Sequence, residues 1–303
     1  MIAAVRSAAL VATITMVAAA GPETQRTFPS ADAAVRALIE AVASRQLDQL
    51  VAMFGPDGAD LVSSSDPATA RQNGEIFSAA TTERWHLVDV SATRKTLVVG
   101  NEDWPFPVPL VKSGNAWRFD TAAGKEEVLD RRIGRNELSV IATCHAYVAA
   151  QQRYARDGHD GLPPGLYAAS FTSTAGRQDG LYWPAAHREH RSPLGDLVAQ
   201  AAAEGRTVGD RPSMSPFYGY YFRIVTAQGT HAPGGAKSYM VDGRLSGGFA
   251  LVAWPAQYDV TGVMTFIVNQ DGGVRQKDLG SETSTRASAI VTYDPDPSWR
   301  IVR

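Results

Sequence analysis

Apolar and polar residues change their spacing several times along the chain, and each change marks an element. Val35, Leu38, Ile39 and Val42 follow Ser30 at i, i+3, i+4 and i+7, the pattern of a helix capped by a hydroxyl. Leu47, Leu50, Val51 and Phe54 predict a second short helix that stops at Gly55-Pro56-Asp57-Gly58. Asp66-Pro67 supplies an N-cap and a first-turn proline for a third helix reaching about Thr82. The period then shortens to that of strands over 85–90, 96–100, 106–112 and 116–120, with Ser113-Gly114-Asn115 as a hairpin turn. Helices followed by a meander predict a sheet with helices on one side.

Residues 123–156 contain no proline and are rich in helix formers, with Val128, Leu129, Ile133, Leu138, Ile141, His145 and Val148 as the apolar series. They read as one long helix or two end to end, since Gly134 costs a helix interior only about 1 kcal/mol. The domain boundary is placed near Gly134, giving an N-terminal α+β domain over 27–133 and a C-terminal α+β domain over 134–303. The second half predicts a Gly/Pro-rich loop at 157–165, a helix over 193–204, strands over 218–227, 248–254, 263–269 and 274–278, and a last helix around 285–291.

Composition adds compartment to this architecture. Arg6, the apolar stretch 8–17 and Ala18-Ala19-Ala20 have the layout of a secretory signal over 1–20. That stretch is shorter than the roughly 20 apolar residues that span a bilayer, so the mature chain is expected without an integral membrane segment, periplasmic or secreted. Cys144 is the only cysteine, which rules out an intramolecular disulfide and leaves the fold to its cores. Cleavage takes Arg6 from the 29 Lys and Arg, leaving 28 against 31 Asp and Glu, a formal charge of −3. Such a balance carries no footprint for nucleic acid.

Five stretches carry a resemblance: 178–183 (QDGLYW), 219–224 (GYYFRI), 247–253 (GGFALVA), 262–269 (GVMTFIVN) and 276–280 (QKDLG). They resemble bacterial secreted proteins of domain-of-unknown-function family 2950 over nearly the whole mature chain. The resemblance implies export and a bacterial source, and no activity. The helices of 30–54 with the following helix and meander also look like an NTF2-like cone. Residues 136–154, followed by a loop and antiparallel strands, look like the soluble, pilin-like domain of a type IV pilin, although the polar stretch 21–30 departs from the exposed apolar helix of pilins.

Candidate chemistry is sparse. No G-x-S-x-G occurs, so the strained elbow of acyl-transfer serines is missing, and Ser213 and Ser215 read as loop residues. Cys144 and His145 are neighbours on a helix and point about 100° apart, so they cannot form a nucleophile–base pair. Gly234-Gly235-Ala236-Lys237-Ser238 lacks the spacing of a phosphate loop and reads as a hairpin connection. His187 and His190 lack partners that would complete a zinc site. In Asp157-Gly158-His159-Asp160-Gly161, the carboxylates of Asp157 and Asp160 are candidate oxygen ligands for calcium, the alternative being an ordinary helix-ending turn. No other cofactor is expected.

In the run 217–222, Tyr218 and Tyr220 share one face of a strand. With Trp183 and Trp254 they form a candidate platform for a sugar ring or partner peptide, or simply core. The expected function is therefore a non-catalytic binding or scaffolding role toward an envelope protein or glycan. The first alternative is a hydrolase or isomerase-type enzyme with Arg84, His86 and Asp89 in the mouth of the N-terminal cone; the second is a pilus- or secretion-associated subunit.

Overall fold

A computed structural model of the chain describes residues 25–62, 67–184, 192–195, 197–198 and 216–302. The signal at 1–20, Asp66, His187 and His190, Ser213 and Ser215, and most of the helix expected over 193–204 lie outside the described residues. The chain divides into two compact units, Met1–Val128 and Leu129–Arg303. Both mix helices with antiparallel sheet, so the fold is α+β.

In the first unit, α1 (Ala31–Ala43) begins at Ser30, whose Oγ accepts the Ala33 N–H at 3.1 Å. It buries Ala34, Val35, Leu38 and Ala41. α2 (Leu47–Phe54) buries Met53 and Phe54 and leaves Leu47 exposed, so the inward face is rotated from the one read in the sequence. A 3₁₀ turn (Pro56–Gly58) and α3 (Ala59–Val62) occupy the expected stop, and α4 (Pro67–Glu83) follows. The sheet comprises β1 (Trp85–Ser91), β2 (Arg94–Val99), β3 (Trp104–Pro105), β4 (Leu110–Ser113) and β5 (Ala116–Phe119), in the order β1-β2-β4-β5 with β3 also on β2. The strand expected over 106–112 starts only at Leu110, because Pro105, Pro107 and Pro109 remove alternate amide donors.

α5 (Thr121–Asp157) is one continuous helix, and the division between the units falls inside it. Within the second unit its buried face is Val140, Cys144, Tyr147, Val148, Gln151 and Tyr154. Leu138, read as apolar stripe, is 69% exposed, and His145 is exposed as well. The inward face of α5 is set by the sheet it covers, and that sheet is far away in sequence. Gln151, fully buried, donates to the Ala168 carbonyl (2.8 Å) and accepts from its N–H (2.9 Å). It also donates to Tyr147 Oη at 3.1 Å, and that hydroxyl donates to the Ala250 carbonyl at 3.2 Å. Each buried polar atom of this chain of bonds is satisfied, which fixes the helix on the sheet.

That sheet is β14-β13-β12-β11-β6, antiparallel throughout: β6 (Tyr220–Val225), β11 (Ala250–Pro255), β12 (Met264–Asn269), β13 (Arg275–Asp278) and β14 (Arg300–Ile301). Between β6 and β11 lie two small ladders, β7 (Ala227–Gln228) with β8 (Lys237–Ser238) and β9 (Met240–Val241) with β10 (Arg244–Leu245). The first makes 234–238 part of a hairpin. α6 (Thr283–Ser288) packs on the sheet beside β11.

Candidate functional site

The second unit carries a cleft of about 170 Å³ walled by Ile267, Ala289, Ile290, Val291 and Trp299, with Thr292 and Asp294 as its polar members. Ligand pockets for whole small molecules start near 300 Å³, so this cleft has room for one side chain or ring. Ile267 comes from β12, and Trp299 from the last turn before β14. The 289–292 wall is held by Arg223 of β6, which donates to the carbonyls of Ser288 (2.8 Å), Ala287 (3.3 Å) and Ile290. The Ala287 and Ser288 carbonyls end α6, where a cation is also favoured by the helix dipole. The Arg223 guanidinium lies 5.7 Å from the ring centre of Trp254.

At the rim, Asp294 Oδ1 accepts the His231 N–H at 2.8 Å and lies 3.0 Å from His231 Nδ1. Gly229 makes this approach possible, since a Cβ there would sit 2.3 Å from Asp294 Cγ. The loop bearing His231 is stapled by Gln228, whose amide donates to the carbonyls of Pro233 (2.8 Å) and Gly235 (2.7 Å). The His231 ring beside this carboxylate is half exposed. Beside it, bonds from the Ser298 hydroxyl and N–H, with the charges of Lys277 and His231, hold the Asp296 carboxyl below the usual range. Lys277 reaches Asp296 at 3.7 Å and lies 5.8 Å from the ring centre of Trp299. The rim thus pairs fixed charges with an apolar floor, an arrangement that seats an apolar group and orients a donor next to it.

The sequence-derived candidates lie elsewhere. Tyr218, Tyr220 and Trp183 are buried and Trp254 is half-buried against Tyr221 and Arg223, so the four do not form one open face. Tyr220 Oη donates to the Met264 carbonyl at 3.0 Å and sits 3.4 Å from Glu137, whose Oε1 also accepts the N–H groups of Val263 and Met264 at 2.9 Å. Burial and the Glu137 charge push the Tyr220 hydroxyl pKa up. In the calcium candidate, Asp160 Oδ2 accepts the Gln178 N–H (3.0 Å) and Arg177 Nε–H (3.2 Å), while Asp157 accepts from Arg156 (3.0 Å). Among the described residues no three His, Cys, Asp or Glu side chains are grouped to hold a metal.

In the first unit, Arg84 pairs with Asp103 and donates to the Gly100 carbonyl at 3.1 Å, and Asp89 pairs with Lys95. His86 lies three residues from Asp89 on a strand, so the two face opposite sides and do not converge. Rings fill the inside of the meander: Phe119, fully buried, lies 5.1 Å from Phe54, 6.3 Å from Phe28 and 6.4 Å from Phe106.

His231, Lys277, Asp294 and Trp299 form no local motif in the sequence: His231 and Asp294 are 63 residues apart, and Lys277 lies on a different element from Trp299. The pairing of His231 with Asp294 is created by the 228–293 bridge, which no local pattern announces. No curated protein and no solved structure matches the chain. A family model described as a protein of unknown function (DUF2950) matches residues 25–302, the span that holds the five resembling stretches, and the chain belongs to that family.

Proposed function

We propose that this is an exported, non-catalytic binding protein of the bacterial envelope, which engages a partner protein through the cleft beside Trp299. The carrying observation is the cleft itself: an apolar floor sized for one side chain, with Val291 70% exposed at its lip and Asp294 fixed by His231 at its rim. Export is supported by the pattern of residues 1–20. No helix among the described residues is long and apolar enough to cross a membrane.

A photo-reactive side chain placed at Val291 in producing cells tests this reading. It is expected to give a discrete adduct in the exported fraction, lost when Trp299→Ala removes the floor. The same probe at Arg132, exposed on α5, should give none. Equal labelling from both positions would remove the cleft from the account.

A second reading rests on the His231–Asp294 pair, in which Nε2 serves as proton acceptor for a hydrolase or isomerase-type reaction. It expects turnover that His231→Gln abolishes while the Val291 adduct persists.

A further inference from the structure

β1 is the edge of its sheet: among the described residues it pairs only with β2. Its backbone is unevenly used. Gly100 donates to the Arg84 carbonyl at 3.0 Å, in register with the pairing of Trp85 and Val99. Alternation along an antiparallel ladder then assigns the bonds to β2 to positions 84, 86 and 88, and turns the N–H and C=O groups of Trp85, Leu87 and Asp89 outward. Edge strands are normally blunted by lysine, proline or an early bulge. Here the only irregularity lies between Asp89 and Ser91, at the far end, and the strand has neither lysine nor proline. Its outer face instead carries Val88 and Val90, 43% and 59% exposed.

We infer that β1 pairs antiparallel with β1 of a second copy, about a two-fold axis through Val88, joining the two sheets edge to edge. The strand is complementary to itself in this register. Trp85 faces Ser91, His86 faces Val90, Leu87 faces Asp89 and Val88 faces its own counterpart, so the whole strand overlaps. The outward backbone groups of Leu87 and Asp89 meet as hydrogen-bonded pairs. No carboxylate faces a carboxylate, whereas a shift of the axis to Asp89 would set one against the other. The valines of both copies become cross-strand and diagonal neighbours on one face, where each partly shields the next. A shift of the axis to Leu87 would carry Val90 and Ser91 past the start of the partner strand.

Disulfide trapping tests the register on the full chain. Cys144 is fully buried, so it does not compete with an introduced thiol. Opposed residues at a non-bonded antiparallel site lie about 4.5 Å apart at Cα, within reach of a disulfide. Val88→Cys is therefore expected to oxidise to a covalent dimer, while Thr96→Cys, its neighbour across β2, stays monomeric. In light scattering the unmodified chain should be dimeric. Val88→Lys, and Asp89→Pro, which deletes an outward N–H, should be monomeric with unchanged circular dichroism. A monomeric unmodified chain at every concentration, or equal cross-linking of the two cysteine variants, would overturn the proposal. Capture of only foreign chains by Val88→Cys would overturn self-pairing in favour of a different strand.

Discussion

Single residues show where local pattern suffices and where it stops. Ser30 was legible as a cap because the signal lies within three residues of the donor it serves. Cys144, the lone cysteine, is a fully buried core residue. Burial pushes its pKa up to about 12, so a maleimide reagent is expected to label it only in denaturant. Labelling of the native protein at the unfolded rate would contradict its position. Asp296 is not legible as a partner of Lys277, because that ion pair needs a strand from earlier in the chain. Its carboxyl should titrate below the usual carboxylate range by NMR, and Ser298→Ala should raise it. Since the folded pKa is the lower one, the stability it adds is present above the unfolded pKa and is lost as pH falls through the folded value.

Elements were legible in kind and less so in facing. The period marked α1, α2, α5 and the strands β11 and β12, whereas Leu138 and Leu47 were assigned to faces that the sheets do not cover. The aromatic run of β6 was ambiguous for the same reason, since burial of Tyr220 depends on Glu137 and the 262–264 backbone. Gly262 belongs to that contact: a Cβ there would meet Tyr220 Oη at 2.0 Å. Gly262→Ala is accordingly expected to cost about 1–3 kcal/mol in denaturant unfolding. Arg223 has a comparable role at the end of α6. Arg223→Ala leaves the Ser288 and Ile290 carbonyls short of a donor, while Ala287 keeps the Ile290 N–H, and is expected to lose about 1–3 kcal/mol, with only partial recovery in Arg223→Lys, because one ammonium cannot fork as the guanidinium does. A neutral result for either variant would remove the corresponding contact from the account.

For the whole molecule, composition and period pointed to two α+β parts without cross-links, and the described residues form two hydrophobic cores. The site was not legible, because its members come from 231, 267, 289–294 and 299 and meet only through sheet pairing. Phenyl rings pack inside the first unit, and the cleft proposed above for binding lies in the second. Methyl NMR on the protein tests this reading most directly, with envelope extract of the producing cell added stepwise. The methyls of Ile290 and Val291 are expected to shift or broaden while those of Val35 and Leu97 stay unchanged. Perturbation confined to Val35 and Leu97, or none at Ile290 and Val291 at saturating extract, would contradict the account.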